Sequence, residues 1–268
     1  MNRRSFLVRG LQRAAGAGLL GGAGLAGPLA ALAANASAQP RQWSAQRGQL
    51  DEESDANVFV FPRLRFKILT RVEGYWDAEP DADDKFLAFL GEKTNLKLSR
   101  KSWPERIIDI EELRKAYFEP DAKTQIYSRP FLFMTGEGDF RFEQAEAVTL
   151  GEYFKRGGFL FADDCVFRGY GDFFFQAFLR EVRQVFPGTE MQPVPYDHGI
   201  YHCFFDFPRG APFCQGQRHR DMGLFLEDRL VAFLTAGDIH CGWKFWGGSR
   251  TLESMKMGVN IVLYSLTH

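Results

Sequence analysis

Positive charge is not in surplus in this chain: 33 Lys and Arg stand against 34 Asp and Glu. That balance argues against a partner nucleic acid or an acidic membrane surface, both of which need a positive patch. No internal repeat is present, which excludes a solenoid or a propeller. Signatures of known chemistry are also missing. Gly136-x-Gly138 is too short for a dinucleotide fingerprint and is not a phosphate loop. Asp164 and Val166 flank Cys165 where a nucleophile elbow needs small residues. Cysteine is scarce, with only Cys165, Cys203, Cys214 and Cys241 in the chain. A domain of this length needs no disulfide staples. Mostly free thiols are therefore expected, with Cys203–Cys214 the pair best suited to bridge. His198 and His202 have helical metal-ligand spacing, but their surroundings are too rich in aromatics, Gly and Pro for a helix. Along a strand they would lie ~13 Å apart. No metal site is expected from them with Cys203 and Cys214, and no cofactor is indicated.

What is present begins with an export signal. Asn2-Arg3-Arg4-Ser5-Phe6-Leu7 has the paired arginines and following Phe-Leu of a twin-arginine motif. An uncharged, Gly- and Ala-rich stretch from Ala14 to Ala34 follows, then Ala36-Ser37-Ala38, a small-residue cleavage pattern. Residues 1–38 are expected to be cleaved, giving a periplasmic protein without stable membrane insertion. An uncleaved anchor in the inner membrane is the alternative, since the run reaches the ~20 residues of a spanning helix. Cleavage removes Arg3, Arg4, Arg9 and Arg13, which lowers the basic count from 33 to 29 against 34 acids, a net charge of −5.

Residues 39–56 are polar and aperiodic and read as a flexible linker. The remaining residues, 57–268, form one domain. Apolar runs at 58–61, 130–134, 158–162 and 229–235 read as strands, and the 63–68 segment alternates. Helices are expected over 81–90, 110–117, 142–154, 172–184 and 252–266, with Glu143, Glu146 and Glu152 facing outward on the third. Asp172 is expected to cap the fourth. Gly157-Gly158 ends the third helix through a left-handed residue. Strands alternating with helices predict a three-layer α/β/α sandwich around a mostly parallel sheet.

Parallel sheets bind ligands beyond the carboxyl ends of their strands. The unusual polar groups fall there: Gly136, Glu137 and Gly138 after one strand, Asp163-Asp164-Cys165 after the next, Asp197-His198 in a later loop, and Asp238 with His240 and Cys241 after the last. Two adjacent acids at a strand end can bind a cation or exchange a proton. Asp164 and His198 are expected to face one another across the crevice, while Asp163 ties down its loop. Gly136, Glu137, Gly138, Asp197 and Asp238 are the candidate ligand-binding residues.

The order of motifs resembles the bacterial family called domain of unknown function 4159. The resemblance is carried by Thr-Gly-Glu-Gly-Asp-Phe at 135–140, Gly-Gly-Phe-Leu-Phe-Ala-Asp-Asp at 157–164, Phe186-Pro187-Gly188, Asp197-His198, Ile200-Tyr201-His202, and Gly-Val-Asn-Ile-Val-Leu-Tyr at 258–264. It implies a fold distantly similar to the flavodoxin-like, class I glutamine amidotransferase-like group, with no activity attached. Family members with membrane segments, or beside MoxR-type ATPase and von Willebrand-type systems, imply envelope protein partners. This chain departs from the family pattern with Gly199 in place of Pro, and with Cys165 in place of a frequent Asn. The expectation is a ligand-binding or envelope assembly module without amidotransferase chemistry. The alternative is a hydrolase-like enzyme using Asp163, Asp164 and His198, with a bound cation.

Overall fold

The computed structural model describes residues 58–69, 75–99, 101, 103–118, 125–166, 171–245 and 248–268. The expected export signal and the expected linker lie outside the described residues.

Seven strands form one sheet in the order β2-β1-β3-β4-β7-β6-β5. They are β1 (Arg63–Arg65), β2 (Ile107–Asp109), β3 (Phe131–Gly136), β4 (Phe159–Asp164), β5 (Gln192–Pro193), β6 (Met222–Leu226) and β7 (Arg229–Thr235). Strands β2, β1, β3, β4 and β7 run parallel, and β6 pairs antiparallel with both β7 and β5. The central strands β3, β4 and β7 are apolar over most of their length because both of their faces are covered. Alternation sorts their side chains. Phe131, Phe133, Phe159, Phe161 and Phe233 face a layer made by α1 (Pro80–Lys93), α5 (Ile239–Phe245) and α6 (Gly248–Thr267). Leu132, Met134, Leu160 and Ala162 face the layer of α2 (Glu111–Phe118), α3 (Gln144–Lys155) and α4 (Phe173–Glu181). The phenylalanines on the first face stack across the strands, with 5.2 Å between the Phe133 and Phe161 rings.

The turn before β4 shows why its glycines are there. Gly157 sits at φ 96°, a left-handed conformation that ends α3. A Cβ on Gly158 would fall 2.2 Å from the Tyr153 ring, whose hydroxyl donates to the Phe159 carbonyl. Three expectations are corrected. Glu146 points inward, 4% exposed, because its carboxylate accepts the Glu143 N–H and closes the first turn of α3. Asp172 makes no side-chain bond to the backbone of α4; it accepts from Gln176 and pairs with His219. Cys203 and Cys214 do not approach one another: the first thiol donates to the Asn260 carbonyl, the second meets Ser254 Oγ. All four cysteines are free.

Candidate functional site

Strand geometry persists to the end of β4, so Asp163 and Asp164 point to opposite faces of the sheet. Asp163 is wholly buried. Its carboxylate accepts from the Thr235 hydroxyl and, at 2.7 Å, from the His240 N–H opening α5. Asp164 Oδ2 accepts the Phe175 N–H at 2.9 Å and supplies the cap that Asp172 does not give α4. Burial drives both carboxyls well above their ordinary range, against these hydrogen bonds.

His198 does not join them. Its ring packs on Phe225 and Tyr264, 5.2 Å from the latter. Phe225 pairs with Leu230 near the start of β7, and Tyr264 packs on Phe159, the first residue of β4. The imidazole therefore lies at the amino ends of the strands, about four residues or ~13 Å of strand from the acids. There Nδ1 accepts the Ile200 N–H at 3.2 Å, and burial holds the ring below its ordinary pKa. Asp197 beside it is exposed. His202 pairs with Asp206 on the surface. The expected convergence of Asp164 and His198 is corrected: the histidine caps a turn at the other end of the sheet.

A buried polar network lies next to Asp163 instead. Arg63 on β1 is fully buried, 2.5 Å from Asp83 of α1 and 2.6 Å from His240 Nε2, and it donates to the Ala78 carbonyl. Burial alone would raise Asp83, but the guanidinium and the His240 hydrogen bond hold it below the usual carboxylate range. Burial and the Arg63 charge keep His240 low, hence neutral. Arg63 and Asp83 were not legible as partners, being 20 residues apart in strand and helix.

The loop after β3 is shaped by packing. A Cβ on Gly136 would lie 2.8 Å from Phe66, so this glycine serves a close approach. Gly138 is buried beside it. Glu137 leans toward Cys165, with Oε1 3.8 Å from the thiol, and burial and the Asp238 charge push its carboxyl up to about 7. Cys165 Sγ lies 3.4 Å from Cys241 Sγ. That hydrogen bond and burial push the Cys165 thiol up, the opposite of what a nucleophilic cysteine requires. Asp238 takes a left-handed φ of 51° and accepts from Gln215 Nε2 at 2.5 Å.

Sequence reasoning missed the cleft beside this rim. Tyr196, Arg209, Ala211, Phe213, Arg218 and Arg220 are among the residues lining a space of about 180 Å³, which reaches Gly237 just past β7. The Arg218 guanidinium sits 4.0 Å from the Phe213 ring and that of Arg220 4.1 Å from Tyr196. Asp221, also in the lining, is turned onto the Tyr201 hydroxyl and the Ala211 N–H. Among the described residues, none of the three arginines has a carboxylate within ion-pair distance. The cleft can offer its positive charge to an anion.

The fold and rim define a class: a predominantly parallel α/β domain with both sheet faces covered and its polar groups gathered at the carboxyl ends. The chain belongs to the family described as Domain of unknown function (DUF4159), whose model matches residues 61–266. No curated protein matches it. No described helix is long and apolar enough to cross a membrane.

Proposed function

We propose that this chain is an exported ligand-binding module of the cell envelope whose fold is of the amidotransferase-like type without that group's chemistry. The ligand class we assign is a small anion carrying phosphate or carboxylate groups. The observation that carries the reading is the cleft at the carboxyl rim, where Arg209, Arg218 and Arg220 gather with no described carboxylate at ion-pair distance, Asp221 being hydrogen-bonded to Tyr201 and Ala211. Two guanidiniums are held against aromatic rings, which limits the side-chain entropy lost when an anion docks. The hydrolase reading has less support: Asp163 and Asp164 are spent on the backbones of α5 and α4, and His198 caps a distant turn.

A thermal-shift series tests the proposal. Millimolar pyrophosphate or citrate should raise Tm, since a ligand bound only by the native state stabilises it by mass action. Glucose and spermidine at equal concentration should not. Equal shifts from all four compounds would contradict the assignment.

A further inference from the structure

Apart from the arginine cleft, the rim brings together four side chains that the proposed binding does not use. Cys165 is the first residue beyond β4, and Cys241 lies 76 residues later in α5, yet their sulfurs are 3.4 Å apart. Asp238 precedes α5 in a left-handed conformation, with its carboxylate aimed by the Val166 and Cys241 N–H groups, each at 3.3 Å. One donor atom from each of Cys165, Asp238 and Cys241 lies within 4.8 Å of the others. From β3, Glu137 brings Oε1 to 3.8 Å from Cys165 Sγ. Its second oxygen, Oε2, is buried with no hydrogen-bond partner. That orphaned oxygen lacks the partner a buried polar atom requires.

We propose that Cys165, Cys241, Asp238 and Glu137 bind one divalent cation of the zinc class. Cys165, Cys241 and Asp238 supply three ligand atoms already gathered, and Glu137, beside Cys165, would close on the cation as the fourth; thiolates on one zinc at Zn–S ≈ 2.3 Å stand about 3.7 Å apart, near the spacing of these two sulfurs. Paired thiolates select zinc over the hard cations magnesium and calcium. The Val166 and Cys241 amides and the Gln215 side chain already orient Asp238, as an outer shell does for a metal ligand. Binding exchanges the two thiol protons, and the proton of any Glu137 still protonated, for the cation, with the protons released to solvent. No oxidation is involved. A bound cation would join the ends of β3 and β4 to α5.

The full chain, reduced and stripped of metal, should be titrated with Co²⁺ alone and then with Zn²⁺. The expected result is one Co²⁺ per chain with a near-ultraviolet thiolate-to-cobalt charge-transfer band, removed by one equivalent of Zn²⁺. Cys165→Ser and Cys241→Ser should each weaken binding by about tenfold or more and reduce the band, whereas Cys203→Ser should change neither. Asp238→Asn and Glu137→Gln, which keep both sulfurs, should retain a band at lower affinity, and they carry the test if a cysteine variant fails to fold. A missing band, a band undiminished by loss of either Cys165 or Cys241, or unchanged affinity in both carboxylate variants overturns the site. So does a Cys165–Cys241 disulfide in the isolated protein that, once reduced, leaves thiols binding no metal.

Discussion

The Asp164 carboxylate at the end of β4 accepts the Phe175 N–H 2.9 Å away, in the first turn of α4. One residue earlier, Asp163 holds the first turn of α5 on the opposite face. Adjacent acids thus pin two helices to the two sides of one strand. Asp164→Asn keeps an acceptor oxygen and should leave stability near wild type, while Asp164→Ala should cost about 0.5–2 kcal/mol. Asp163→Ala abandons two buried donors and should cost more, about 1–3 kcal/mol for each. Urea midpoints for the three variants check this order.

Arg63 and Asp83 form a buried ion pair on which Asp83→Asn would leave the guanidinium without an anion, at a cost of about 3–5 kcal/mol. Since Asp83 titrates below its ordinary 3.8 in the folded protein, its stabilisation is present above that pH and lost as pH falls below it. Chemical denaturation between pH 5 and about 2.5 should show a shallower acid loss in Asp83→Asn than in wild type.

His198 gives a second pH signature. Its folded pKa lies below the ordinary 6.5, so its contribution holds above pH 6.5 and fades as pH falls through the folded value. Protonation also removes the Nδ1 acceptor that caps the 199–201 turn. His198→Asn keeps an acceptor without a charge. Its Tm should fall less than that of wild type between pH 7.5 and about 5.

The proposed export rests on Arg3 and Arg4 in their Phe-Leu context. We predict that changing both to Lys retains the precursor in the cytoplasm, read by fractionation. Normal export of that variant would contradict twin-arginine transport.

The elements legible in the sequence are those with strong local patterns. The apolar runs at 130–134, 158–162 and 229–235 fall on β3, β4 and β7 because a sheet covered on both faces needs continuous hydrophobicity. Gly157 marks the end of α3 through its backbone alone. What local pattern cannot carry is a partner distant in sequence. Arg63 opens the alternating 63–68 segment, and nothing near it in sequence marks its burial beside Asp83 and His240, which arrive from two helices. The Cys165–Cys241 approach has the same character, across 76 residues. Asn260, inside the Gly-Val-Asn-Ile-Val motif, clamps the His198 loop through the Ile200 carbonyl and both backbone groups of Phe205. That clamp gives a structural reason for two distant motifs to occur in one chain. The arginine cleft left no trace because its segment, rich in Gly and Pro, has no period.

Isothermal titration of pyrophosphate into the full chain, at low and at high salt, tests the anion-binding account most directly. The account predicts one site whose affinity falls with ionic strength, because exposed guanidiniums are screened. It further predicts about tenfold weaker binding, 1.4 kcal/mol, on Arg218→Ala and again on Arg220→Ala, with Arg183→Ala, outside the cleft, unchanged. No measurable heat of binding, or an affinity indifferent to Arg209, Arg218 and Arg220, would contradict it.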